Sequence, residues 1–323
     1  MATPDFDSLP ITTMTLVVPF TGEVNLDTAS DLLHAVGPGA APGEIITIRY
    51  KGKTRGVPKT SNYFKNSIMI DLRISEKNVS IKLSRTNIQM CGAKSTLQGE
   101  EGAKYIRDML LHLQSLLDDC TAYPEETTQV ILWILNHVRQ GTVPVALEST
   151  RPKLAAFLIQ RLARWSTYDE VVEDFKRILG IPRVISPDFD LQPVSEVMTN
   201  INFDLGFRIN RRTLTHLVNV YGEKFYANFD NAINHNVTLE YPLSSELASC
   251  IRRRNKALRC VFLVYASGLI TLSGPGKQYM REPYYAFYSM IKAMREEVLL
   301  PDYETGTRRR RPRARSQIET AVA

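Results

Sequence analysis

Apolar residues in the first third of the chain come in short alternating runs that lie too close together to be helices. "ITTMTLVVPF" from Ile11, "EIITIRYKG" from Glu44, "SIMIDLRIS" from Ser67, "NVSIKLSR" from Asn78 and "NIQMCG" from Asn87 are β-rich stretches separated by turn-sized gaps. That pattern predicts an antiparallel sheet. Between the first two runs, "LDTASDLLHAV" reads as a short helix capped by Asp27, with Leu32 and Leu33 on its apolar side and "GPGAAPG" ending it. At Ser95 the period changes. Ile106, Leu110, Leu113 and Leu117 recur at helical spacing, which predicts a helix of about 20 residues.

The same order returns after Pro193. A strand "VMTNINFDL" is followed by a helix capped by Asn210 and stopped at Gly222. Strand candidates "KFYANFD", "VTLEYPL", "LRCVFLVYA" and "LITLSG" come next, then a helix from about Gln278 to Leu300. The pattern of "VNLDTASDLL" matches that of "FRINRRTLTH", with Leu26 opposite Ile209 and Asp27 opposite Asn210. Two units of one supersecondary order imply an internal duplication. One layer of helices covers one face of a sheet, so each unit keeps a second face for another use. Between the units the period is helical throughout. "PEETTQVILWILNHVRQG", "RPKLAAFLIQRLARW" and "STYDEVVEDFKRILG" predict three helices, the last with a Thr167–Glu170 capping box and Gly180 as its stop. The expected organisation is an extension over 1–10, a first repeat over 11–118, a helical insert over 119–192, a second repeat over 193–304 and a tail over 305–323.

Composition adds three constraints. With 323 residues, 44% of them hydrophobic, the chain can bury a substantial core. No run of about 18 apolar residues predicts a membrane span, and "MATPDFDSLP" lacks the order of a signal peptide, so a soluble intracellular protein is expected. Cys91, Cys120, Cys250 and Cys260 show neither paired spacing nor a nearby histidine, which indicates reduced structural thiols and no metal site. The net charge of +6 is uneven: residues 305–323 hold six arginines and one acid, leaving only +1 for the rest. So polar and charged a tail is expected to be disordered, and to serve as a nuclear-import signal, a sequence-blind phosphate binder or a solubilising end.

The residues around Gly92 and Gly274, 182 positions apart, carry a resemblance. "MCGAKSTLQ" resembles the strand-to-helix junction in the first repeat of the TATA-box-binding protein family. "VYASGLITLSGPGK", "FRINRRTLTH" and "EPYYAFYSMI" resemble stretches of that family's second repeat, in the same order. The likeness covers about residues 11–118 and 193–299. It implies an α+β saddle, a curved antiparallel sheet of two pseudosymmetric repeats with helices on the convex face, interrupted here by the all-α insert. It also implies a general transcription initiation factor that binds double-stranded DNA through the minor groove on its concave sheet. Its convex helices would recruit other initiation factors or RNA polymerase. Divergence of this degree suits a large DNA virus or a deeply branching eukaryote, so the expected location is the nucleus, or a viral factory or virion if viral. In the family, paired phenylalanines wedge between base steps, central asparagines read groove acceptors, and flanking cations hold phosphates.

Carried onto this chain, the resemblance puts the first-repeat wedges at Ser67 and Leu83, with Phe64 three residues before the first. The second-repeat wedges fall near Asn234 and at Tyr265, and the central asparagines at Thr13 and Glu196. A carboxylate there would repel DNA. Thr15, Ile81, Met198, Leu263, Thr271 and Ser273 fall on the floor of the saddle, with Gln89 and Cys91 in place of its usual residues. Arg73, Lys94 and Lys277 fall at phosphate-contact positions. The loop "CIRRRNKALR", with Arg252, Arg253 and Arg254, falls at the family's short stirrup loop and adds charge. No phosphate-binding loop, nucleophile elbow or H-E-x-x-H occurs, so neither an enzyme, a cofactor nor a small-molecule substrate is expected. Two other readings stay open. One is a protein-interaction or structural module that has lost the wedges and touches nucleic acid only through its tail. The other, weaker, is a sheet that binds a small ligand.

Overall fold

The computed structural model describes residues 3–58, 64–142, 152–162, 164, 167–181, 183–230, 235–244 and 258–300. Among them are twelve strands, all paired antiparallel where their registers are defined, and eight α-helices, an α+β architecture. The chain forms two compact units. One comprises Ile11–Ile201 and Gly274–Gln278, the other Met1–Pro10, Asn202–Ser273 and Tyr279–Ala323.

In the first unit the strands are β1 (Ile11–Thr21), β2 (Ile45–Tyr50), β3 (Lys53–Gly56), β4 (Ile68–Ile74), β5 (Lys77–Leu83), β6 (Asn87–Ala93), the short β7 (Asp190–Leu191) and the start of β8 (Ser195–Asp204). They order as β3-β2-β4-β5-β6-β1-β8, with β7 beside β1. Helix α1 (Leu26–Leu32) follows β1, and α2 (Thr96–Ala122) follows β6. Met14, Leu16, Ile70, Leu72, Val79, Ile81, Ile88 and Met90 form one core cluster with Ala29, Leu32, Ile106 and Leu110 of the helices. Long helix and sheet meet closely at two glycines. A Cβ on Gly99 would overlap Leu16 Cδ1, and one on Gly102 would lie 2.7 Å from Ile74 Cδ1. Ser95 caps α2 by accepting from Gln98 N. The helix then runs 27 residues, past the 20 expected, because Leu113, Leu116 and Leu117 stay buried along it. Helices α3 (Pro124–Arg139), α4 (Pro152–Leu162) and α5 (Tyr168–Leu179) join the same core cluster, and α5 has the capping box its sequence predicts.

The second unit repeats the order. The end of β8 leads into α6 (Arg211–Tyr221), then β9 (Tyr226–Asn228), β10 (Asn236–Pro242), β11 (Arg259–Tyr265) and β12 (Leu269–Gly274). The last four order as β12-β11-β10-β9. Instead of one helix to Leu300, the chain makes a 3₁₀ turn at Lys277–Tyr279, α7 (Arg281–Ala293) and the single turn α8 (Arg295–Val298). Phe203, Phe225, Phe262, Tyr284 and Phe287 form an aromatic core, with Phe262 stacked on Phe287 at 4.6 Å. The N-terminal segment docks on α7: Phe6 is buried, its ring 5.2 Å from that of Tyr284, and Arg281 pairs with Asp7.

The short helices show the duplication most directly. Asn25 caps α1 by accepting from Thr28 N at 3.2 Å, with φ −76° and ψ 101°. Asn210 caps α6 by accepting from Thr213 N at 3.2 Å, with φ −74° and ψ 102°. The cap is therefore Asn25 and not the expected Asp27, whose carboxylate sits in the first turn and holds Lys51 at 2.6 Å.

Candidate nucleic-acid interface

Strand alternation sorts the first unit's residues between a helix-covered face and an open one. Thr13 and Thr15 of β1, Arg73 of β4, Ser80 and Lys82 of β5, and Gln89 and Cys91 of β6 take the parity opposite to the core residues. Thr15 lies within 3.6 Å of the exposed Cys91 thiol. Leu83 does not join them. It pairs with Ile68 and Ile88 and is fully buried in the core cluster, as is Ile81, so neither can touch a ligand on the open face. Ser67, the other expected wedge, is buried too. The exposed aromatic is Phe64, 52% accessible, with Lys82 Nζ 4.1 Å from its ring centroid.

Cations gather where β4 and β6 end and β5 begins. Arg73 pairs across from Asn78, next to Lys77, and Lys94 follows β6. The ammonium of Lys94 beside it, together with desolvation, pushes the Lys77 pKa below the usual lysine range. Side chains that repel one another in this way suit an anion that touches both.

At the centre, Thr15 pairs with Met198 and Thr13 with Asn200, whose Nδ2 donates to Thr13 Oγ1 at 2.9 Å. A bulge between Thr15 and Leu16 then sets Glu196 opposite Leu16, a core residue, and its carboxylate accepts the hydroxyl of buried Thr199. Glu196 is thus withdrawn from the open face, and the repulsion expected of it does not arise there. An amide, Asn200, occupies that centre instead. Two further acids keep the open-face parity at matching places in the two units, and each is held by an arginine. Asp71 lies 3.9 Å from Arg49, and Glu240 lies 2.7 Å from Arg259.

In the second unit Leu263, Tyr265 and Thr271 share the open face with Thr238, Val261 and Ser273. All six are half-buried, and Leu269 at the start of β12 is 40% exposed. Lys277 lies in the 3₁₀ turn after β12. Arg252, Arg253, Arg254, Asn234 and the tail fall outside the described residues. The loop bearing the three arginines joins β10 to β11. That makes it the counterpart of the tight Ser75–Glu76 turn between β4 and β5.

No family model matches the chain, and no curated protein matches it. Among solved structures it is similar to "Methanococcus jannaschii TBP", with 11% identity and a TM-score of 0.38, over 90% of this chain and 99% of that one. A likeness at that level adds nothing to the geometry above.

Three contributors escape a motif-based reading: Lys77, Lys82 and Asn200. Lys82 was legible from strand alternation alone, since "KNVSIKL" places Val79, Ile81 and Leu83 together and Lys82 opposite them; Lys77 shares the parity of the buried set and stands at the strand's first position, opposite Ile74. Asn200 depends on a bulge that leaves no mark in the sequence. Among the described residues no cluster of His, Cys, Asp or Glu could hold a metal, and no helix is long and apolar enough to cross a membrane.

Proposed function

We propose that the chain is a divergent TATA-box-binding-like initiation factor, which binds duplex DNA on the open sheet faces of its two units. The observation that carries this reading is the asymmetry of each sheet. One face is sealed by helices. The other presents hydroxyl, amide and apolar side chains with Arg73 and Lys82 in the first unit, and Lys77 and Lys94 stand at the strand termini beside Arg73. Such a surface suits a minor groove, where base edges offer acceptors and the walls are phosphate. Phe64 and Tyr265 supply the flat apolar groups that unstack a base step. The helices and insert are then free to contact other initiation factors. The second reading, a protein-interaction module, is favoured by one observation: Ser67 and Leu83 are buried where two wedges are expected.

Fluorescence anisotropy with a labelled duplex separates the two. The full chain is expected to bind, and replacing Phe64 and Tyr265 together by Glu to weaken binding about tenfold or more. Binding untouched by both changes would overturn the proposal in favour of the interaction module.

A further inference from the structure

The helix-covered side of each unit carries a groove, and matching positions build the two. In the first unit Leu32 of α1, Val36 just beyond it, and Met109, His112 and Leu113 of α2 line a half-open cavity of about 500 Å³. A shift of 185 residues carries Leu32 onto Leu217, and 181 carries Met109, His112 and Leu113 onto Met290, Ala293 and Met294. Those four, with Tyr221 at the place of Val36, line a groove of about 540 Å³ between α6 and α7. The first shift also superposes the caps Asn25 and Asn210, and the second superposes the core pairs Ile106/Phe287 and Leu110/Ile291.

The grooves differ in what covers them. In the first unit α4 forms the outer wall through Lys153, Ala156, Phe157 and Gln160, with Leu154 and Leu158 buried beneath. Among the described residues the second groove is lined by α6, the turn after it, Tyr241 of β10, α7 and Glu297 of α8, with no counterpart of α4, and the apolar residues beside it stay exposed, Tyr221 at 67% and Val220 at 54%. Exposed apolar surface next to a preformed groove marks a docking place. The rim gives the sign of the occupant. Glu223, Glu282 and Glu297 stand there with one cation, Lys224, which lies 3.3 Å from Glu282. Helix α4, "PKLAAFLIQRL", carries Lys153 and Arg161 and no acid.

We propose that the groove between α6 and α7 docks a basic amphipathic helix of a partner protein, which lays an aromatic and leucine stripe where α4 lies in the first unit. Helix-in-groove recognition needs an apolar stripe at helical spacing, and the acidic rim selects a basic flank while repelling nucleic acid.

The test uses the full chain and a helix-stapled peptide with the sequence of residues 152–162, beside a version carrying Lys153→Glu and Arg161→Glu. The basic peptide is expected to bind, and Met290→Asp or Glu297→Lys to weaken it about tenfold or more, while Met109→Asp in the first groove leaves it unchanged. Met290 is only half-buried, so the variant should fold, as circular dichroism would verify; if it does not, Glu297→Lys at the exposed rim carries the test. Three outcomes overturn the proposal: equal binding of the charge-reversed peptide, binding insensitive to both α7-side changes, or loss with Met109→Asp alone. A concentration-dependent dimer abolished by Met290→Asp also overturns it, because the occupant would then be a second copy of this chain.

Discussion

Cys91 offers a chemical reporter of the open face. Its thiol is exposed at the end of β6, beside Thr15, whereas Cys120 and Cys260 are buried. Burial pushes Cys120 up to about 11 and Cys260 up to about 12, so both remain unreactive thiols at neutral pH. In a Cys250→Ser background, maleimide is therefore expected to label Cys91 alone, and saturating duplex DNA to slow that labelling several-fold. Unchanged labelling with DNA bound would place the DNA elsewhere. In the neighbouring β5 the resemblance puts Leu83 on the ligand side, yet a strand's side chains alternate, and a one-residue slip exchanges its faces. Val79, Ile81 and Leu83 alternate with Ser80 and Lys82, so the buried set was legible in "KNVSIKL" itself. The withdrawal of Glu196 was not, since it depends on the Thr15/Leu16 bulge. Gly92 matters for another reason: its φ of 99° lies where only glycine is relaxed, and it is the extra residue in β6 where the register against β1 shifts between Met14 and Thr15.

At the scale of elements, the insert is fastened to α1 by arginines. The last carbonyls of a short helix lack partners, and the chain supplies guanidinium groups for them. Arg161, Arg164 and Arg55 all donate to Asp31 O, and Arg164 and Arg55 also donate to Leu33 O. Burial and its arginine neighbours push Arg164 down to about 10, which still leaves it charged at neutral pH. Arg161 is fully buried and forms a two-pronged pair with Asp174, both contacts 2.7 Å, while Arg177 bridges Asp31 and Asp174. Removing the carboxylate would leave buried Arg161 with only the partly exposed Asp31, 3.5 Å away, as its counter-ion. Asp174→Ala is expected to cost about 3–5 kcal/mol in urea unfolding, and the apolar double variant Arg161→Met with Asp174→Leu to recover most of it. If the single variant is as stable as the parent, the pair does not anchor the insert. Helices α3 to α5 were plain in the sequence from their period, caps and stops. Their attachment was not, because it is made by side chains more than a hundred residues from α1 in the chain.

Charge is a property of the whole molecule, and it decides between surfaces that pairwise contacts leave equal. Of the net +6, residues 305–323 contribute +5, so a titration at one salt concentration could report the tail alone. The salt dependence separates the contributions, because each phosphate neutralised lowers the slope of log K against log salt by about 0.9. Deleting 305–323 is expected to reduce the magnitude of that slope by about 5, as six arginines leave. Replacing Arg73, Lys77 and Lys94 by Ala is expected to reduce it by a further amount of about 3, if all three meet phosphate. A truncated chain that keeps a clear negative slope, diminished again by the triple change, binds DNA through its folded units. If the truncated chain shows no measurable slope, the full chain has only its tail on DNA. The open faces would then belong to a protein partner, and Glu240, half-buried and held by Arg259, would be the first residue to probe for that contact.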